Sequence, residues 1–124
     1  MDSRIVHCII AGDCPDTRRL VRDAIVSHRP HARISEASDH EAAKRIFQIA
    51  GADLMIIAQQ LSHSVGAELV RALRLDKAYI PLVLVCDPSF DRREALAAGV
   101  THVIEKEKLA ESIAYYLPVW LPQR

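Results

Sequence analysis

Three side chains able to do polar chemistry each fall within two residues of the end of an apolar run: Asp13 after Ile5 to Ala11, Asp87 after Leu82 to Cys86, and Lys106 after Val103 and Ile104. A carboxylate can bind a hard cation or attack a phosphoryl group, and a lysine ammonium can neutralise the charge that builds up in such an attack. Cys14 and Cys86 occupy the same kind of position, where two thiols would suit a redox pair. A buried structural thiol is the plainer expectation, and Cys8, inside the first run, is expected in the core. A further run, Leu54 to Ala58, ends on an alanine that supplies neither nucleophile nor ligand. Magnesium wants about six oxygens at about 2.1 Å, anchored by one or two carboxylates, so Asp13 alone is at most a weak ligand. Asp53 opens the run that Ala58 closes, and at roughly 3.3 Å per residue it lies about 16 Å off, at the other end of a strand. Asp87, just past Cys86, is the acid nearer to the Ala58 end of the sheet, set against its plainer reading as the opening of a loop. Asp13 and Lys106 are expected to form an ion pair across a partly buried cleft.

The six histidines, at 7, 28, 31, 40, 63 and 102, have neither HxH nor HExxH spacing, so no metal site is expected; His7 reads as a buried histidine with a hydrogen-bond partner. Cys14-Pro15-Asp16 puts a ring and a negative charge where a phosphate or flavin cradle would need small or hydroxyl residues. With 16 basic and 16 acidic side chains, the chain has no global field to attract nucleic acid or anionic lipid, and Arg92-Arg93 reads as a solvated face. Three cysteines without a C-x-x-C pair support neither a disulfide framework nor a zinc knuckle. No apolar stretch nears the roughly 20 residues of a membrane span, and Met1-Asp2-Ser3-Arg4 does not open an export signal. The expectation is one soluble cytoplasmic domain over residues 1–124, with no attached helix-turn-helix and hence no DNA binding.

These residues need elements to hold them. Ile5 to Ala11 is apolar enough to be a strand covered on both faces. Pro15 starts a helix with Leu20, Val21, Ala24 and Ile25 on one side, ending near His28. Ala32 to Ala37 alternates like an edge strand. Ser38 and Glu41 suggest a capping box for a second helix, buried through Ala42, Ala43, Ile46, Phe47 and Ala50 and stopped by Gly51. After Leu54 to Ala58 come a polar loop, Gln59 to Ser64, and a helix with Val65, Leu69, Val70 and Leu73 inward. Leu82 to Cys86 is the fourth strand, introduced by Pro81. A short helix from Ser89 to Ala98 ends at Gly99, Val103 and Ile104 make a fifth strand, and Leu109, Ile113 and Leu117 line a last helix terminated by Pro118. Strands alternating with helices imply a parallel sheet covered on both sides, with ligand chemistry at the carboxyl ends of its strands, between the first and third.

Four strand ends carry a family resemblance that extends over essentially the whole chain. Gly12-Asp13-Cys14-Pro15-Asp16-Thr17-Arg18, Ala52 to Ala58, Ile80 to Cys86, and Ala95 to Val100 with Val103-Ile104-Glu105-Lys106 resemble the response regulator receiver (CheY-like) family. The resemblance implies a flavodoxin-like, doubly wound sheet of five parallel strands in the order 2-1-3-4-5. It also assigns roles. The first segment normally holds an acidic pair for magnesium, and here Gly12 replaces one acid and leaves Asp13. The second normally ends in the phosphoaccepting aspartate, where Ala58 stands. Cys86 takes the place of a switch threonine or serine. Lys106 matches the lysine that contacts the phosphoryl group, with Glu107 where a proline usually follows. What this implies is a pseudo-receiver in two-component, phosphorelay-type signalling: not an enzyme, without cofactor or metal, working through protein–protein contact independently of phosphorylation. The alternatives are a switchable receiver using Asp87, or a cysteine redox switch.

Tyr115, Tyr116 and Trp120 are three of the six aromatic residues and fall within six positions at the end of the last helix, beside a tail at 118–124. Leu109, Ile113 and Leu117 already fill that helix's buried stripe, so some of the aromatics are expected to face outward and form a homodimer or docking interface. The competing expectation is that the tail folds back over its own core.

Overall fold

Strand β1 (His7–Ala11) is buried at all five positions, as a run with no polar face requires. The computed structural model describes residues 5–58, 60–61, 64–87 and 92–122. In it β1 is flanked by β2 (Arg33–Ala37) and β3 (Leu54–Ala58), and β3 is followed outward by β4 (Leu82–Cys86) and β5 (His102–Glu105). All four pairings are parallel, giving the order 2-1-3-4-5 of a CheY-like, flavodoxin-type sheet. Ala11 stands beside Ile57, Ile57 beside Leu84 and Leu84 beside Val103, so the central strands reach the same edge at one level.

The helices are α1 (Pro15–His28), α2 (His40–Ala50), α3 (Gly66–Leu75), α4 (Arg92–Ala98) and α5 (Leu109–Trp120). Because strand side chains alternate, every second residue goes to a different core. Ile9, Met55, Ile57, Leu82 and Leu84 pack with α2, α3 and α4 on one face. Cys8, Ile10, Leu54, Ile56, Val83 and Val85 pack with α1 and α5 on the other. Strand β2 has only Ala37 buried, in keeping with an edge strand.

Several boundaries differ from expectation for identifiable reasons. Strand β1 starts at His7, and Ile5 before it is 58% exposed. Asp39, not Ser38, caps α2: its carboxylate accepts from the Ala42 N–H at 2.8 Å, a stronger cap than a hydroxyl further back could offer. Val65 belongs to an antiparallel pairing of Gln60–Leu61 with Ser64–Val65 inside the expected polar loop, and α3 begins one residue later. Of the expected span of α4, residues 89–91 lie outside the described residues. Pro118 does not end α5, which continues to Trp120. A proline in the last turn removes one backbone bond, and here burial of Leu117, Trp120 and Leu121 in the core outweighs it. The Arg29 guanidinium then ties the end down by donating to the carbonyls of Leu121 (3.2 Å) and Pro122 (2.6 Å). Gly51, with φ of 68°, closes α2 as expected, its N–H reaching the Phe47 carbonyl.

Three arginines fix outer parts of the fold. Arg74 reaches from α3 to the carbonyls of Gly99, Ala78 and Ile80 at 2.8, 2.7 and 2.9 Å, so one side chain joins the approaches to β4 and β5. Arg18 and Arg22 of α1 clasp Glu36 on edge strand β2 at 2.9 and 2.7 Å. Arg22 first and Arg18 next hold the Glu36 carboxyl below the ordinary 4.5. A carboxyl whose folded pKa is depressed contributes stability above its unfolded value and loses it as pH falls below. The urea midpoint should therefore drop as pH is lowered through 4.5 and beyond, by less in Glu36→Gln than in the parent, with the slope of denaturation unchanged.

Candidate functional site

Three chain segments leave the sheet at the level where Ala11, Ile57 and Leu84 align, and between them lies a cleft of about 100 Å³. Asp13, Cys14 and Thr17 line it from the turn into α1, Ala58 from the end of β3, Val85, Cys86 and Asp87 from the end of β4, and Lys106 from the residue after β5. The sequence-predicted Asp13, Ala58, Cys86, Asp87 and Lys106 thus meet at one place, although up to 45 positions separate neighbours along the chain. Gly12 sits just behind. It is buried, its N–H donates to the Ala37 carbonyl at 2.9 Å, and a methyl group added to it would stand 3.0 Å from the Ala58 methyl. Asp53 is at the far end of β3 and accepts from the His7 N–H at 3.0 Å, so it takes no part in the cleft.

Sequence reasoning missed Thr17, Val85 and Gly66. Gly66 carries the strictest steric demand: a Cβ there would meet the Ala58 carbonyl oxygen at 2.6 Å and the Leu84 side chain at 2.8 Å. The signal was a glycine opening a helix directly after a β-branched residue, where close backbone approach is one of the few reasons for it.

The charges behave otherwise than expected. Asp13, Asp87 and Lys106 are all exposed, and among the described residues no ion pair joins Asp13 to Lys106. The expected pair across a buried cleft is corrected to separately hydrated groups, because water solvates exposed ions nearly as well as a partner would. Arg92, by contrast, is paired with Glu105 at 2.8 Å.

All three cysteines are free thiols. Cys8 is in the core as expected, and burial, with Asp53 adding and Arg29 opposing, pushes its pKa up to about 12. Burial also raises the Cys86 thiol. Cys14 precedes the first turn of α1. Its sulfur makes no capping hydrogen bond of normal geometry, yet the Thr17 hydroxyl, followed by the Thr17 and Asp16 N–H groups, favours its thiolate and lowers its pKa. His7 is the buried, satisfied histidine expected: 7% exposed, with Nδ1 2.7 Å from the Gly51 carbonyl and Nε2 2.8 Å from the Ser35 hydroxyl.

The aromatic group at the end of α5 divides. Trp120 is only 6% exposed, stacked on Tyr116 with centroids 5.6 Å apart and packed among Ile113, Leu117 and Leu121. As an interface candidate it is corrected to a core residue; the end of α5 does fold over its own core. Tyr116 is half-buried and lies 4.1 Å from the His102 ring. Tyr115, 74% exposed, and Val119, 70% exposed, face outward. A second, shallower groove of about 230 Å³ runs between α4 and β5, lined by Arg92, Leu96, Thr101, His102 and Val103.

With this geometry in view, likeness to known proteins can be placed. The response regulator receiver domain family matches residues 8–116. No curated protein matches the sequence. Among solved structures, the signal receiver domain of NarL from Mycobacterium tuberculosis is similar at 19% identity and TM-score 0.82, over 98% of this chain and 99% of that one. The phosphorylated cyanobacterial phytochrome response regulator RcpA is similar at 16% and 0.86, over 96% of each chain. The chemotaxis response regulator CheY4 of Vibrio cholerae is similar at 20% and 0.82, over 95% of this chain and all of that one. No helix among the described residues is long and apolar enough to cross a membrane.

Two substitutions separate steric from electrostatic roles at the cleft. Gly66→Ala should cost about 1–3 kcal/mol, because the Ala58 carbonyl must move. Asp13→Ala should stay within about 0.5 kcal/mol of the parent. Urea denaturation of both proteins checks the pair.

Proposed function

We propose, since the chain belongs to the response regulator receiver family, that it is a pseudo-receiver: a cytoplasmic, non-enzymatic signalling domain that acts by docking to protein and not by accepting phosphate. The observation that carries this reading is Ala58 at the floor of the cleft. Phosphoryl transfer to a receiver needs a carboxylate nucleophile in line with the donor, and a methyl group cannot attack phosphorus. The donor set also fits a magnesium ion poorly. Gly12 and Ala58 contribute no side-chain oxygen, which leaves Asp13 and Asp87 from different loops as the acids on the cleft wall, and no step through a metal is assigned. Lys106 then serves as a hydrated surface cation and not as a phosphoryl contact.

The presence of Asp87 on the same wall as Lys106 supports a second reading, in which Asp87 accepts the phosphate. Incubation with acetyl phosphate and magnesium, followed by intact mass measurement, distinguishes the two. The unmodified mass is expected; an added phosphate that disappears in Asp87→Asn would establish the second reading and end the first. Ala58→Asp alone is expected to phosphorylate poorly, because it restores the nucleophile beside Gly12 without the missing acid.

The docking face assigned here is α5 with the adjoining α4–β5 groove, where Tyr115 and Val119 expose apolar area beside the half-buried Tyr116, and the partner proposed is a second copy of the chain. Light scattering on the eluting protein should give a dimer for the parent and a monomer for Tyr115→Ala, with unchanged far-UV circular dichroism. A parent that is monomeric at high concentration would remove the homodimer.

A further inference from the structure

The cleft holds two thiols of opposite access. Cys14 is partly exposed at the entrance to α1, and Cys86 is 4% exposed, with no hydrogen-bond partner among the described residues; both line the same space. Because β3 lies between β1 and β4, two strand spacings of about 4.8 Å hold their backbones roughly 10 Å apart. Cys14 lies three residues beyond β1 and Cys86 ends β4, and both thiols are free. The strand in the middle contributes only the Ala58 methyl, which leaves the gap open. Around it stand both signs of charge, the Asp13 and Asp87 carboxylates and the Lys106 ammonium, with no ion pair joining them among the described residues. A small molecule bearing both an ammonium and a carboxylate would find an opposite charge for each, whereas a plain anion would meet two carboxylates. Cys8, a fully buried residue of β1, has no access to this space.

We propose that the cleft takes up a zwitterionic low-molecular-weight disulfide and that Cys14 captures half of it as a mixed disulfide. The Cys14 sulfur, having lost its proton, attacks one sulfur of the small molecule. The small molecule's S–S bond breaks as the new S–S bond forms, and the other half leaves as a thiolate that takes up the proton Cys14 released. The small disulfide is the oxidant: Cys14 is oxidised and the departing half reduced, so the exchange needs no other electron acceptor. The retained half offers acceptor atoms to the otherwise unsatisfied Cys86 thiol. The domain would thereby report thiol–disulfide balance through this cleft.

The probe is cystine, with neutral hydroxyethyl disulfide as comparison. Intact mass and peptide mapping of the whole protein should show one cysteinyl group per chain, located on Cys14, reversed by reductant and missing from Cys14→Ser. Cystine should react about two- to fivefold faster than the neutral disulfide, and Lys106→Ala, with unchanged circular dichroism, should abolish that preference. Mapping on the parent locates the adduct even if Cys14→Ser folds poorly. Absence of an adduct, modification at Cys8 or Cys86, loss of two hydrogens through a Cys14–Cys86 bond, or equal rates for the two probes would each overturn the proposal. The assay reads sulfur alone, so its failure is distinct from a positive acetyl phosphate result, which bears on the docking reading.

Discussion

The tightest constraint in this molecule is the packing around Ala58. Its carbonyl oxygen is approached so closely by Gly66 that no side chain fits there, and its methyl group lies where any Cβ on Gly12 would come within 3.0 Å. Two of the four glycines are thus committed to letting three backbone segments converge on one residue. The convergence sets the depth of the cleft: β3 ends at the level of β1 and β4, α3 starts immediately behind it, and the loops carrying Asp13, Cys14, Cys86 and Asp87 surround it. Interiors packed at this density respond to an added methyl by moving backbone, so composition at positions 12, 58 and 66 is coupled.

Much of the architecture was written in local pattern. The unbroken apolar runs at β1, β3 and β4 could only be strands covered on both faces, and Gly51 and Gly99 marked helix ends that their positive φ angles confirm. Strand order followed from family likeness, since alternation alone leaves the order of parallel strands open. What failed were places where two local signals competed and tertiary burial decided. Ser38 and Asp39 both cap well, and the carboxylate won. Pro118 is a helix terminator in isolation, but Trp120 and Leu121 gain more from burial in the core than the missing N–H costs.

The site was legible to a different extent. Residue type and position after an apolar run were sufficient to bring Asp13, Ala58, Cys86, Asp87 and Lys106 into one cleft, because parallel strands deliver all their carboxyl ends to one edge. Exposure was not legible. Whether Asp13 and Lys106 are buried together or hydrated apart depends on how far the loops splay, which no spacing in the sequence encodes. Trp120 is a different case, where a stripe of Leu109, Ile113 and Leu117 suggested a helix already filled although the spacing itself pointed inward. A tryptophan three residues beyond Leu117 continues that stripe at i+3, and the period of the helix carries it inward with them.

The charge left in the cleft explains why it can remain open. Carboxylates crowded at one strand edge repel one another, and such a cluster is stable only when a cation or proton offsets it. With Gly12 and Ala58 in place, the wall carries Asp13 and Asp87 against Lys106, each exposed and each hydrated. The imbalance is a single charge in high dielectric, which at several ångströms is worth about 1 kcal/mol or less. None of the three groups gains enough from pairing to draw the loops shut. Shape at this site is therefore set by the backbone packing of Gly12, Ala58 and Gly66, and charge is free to act on whatever enters.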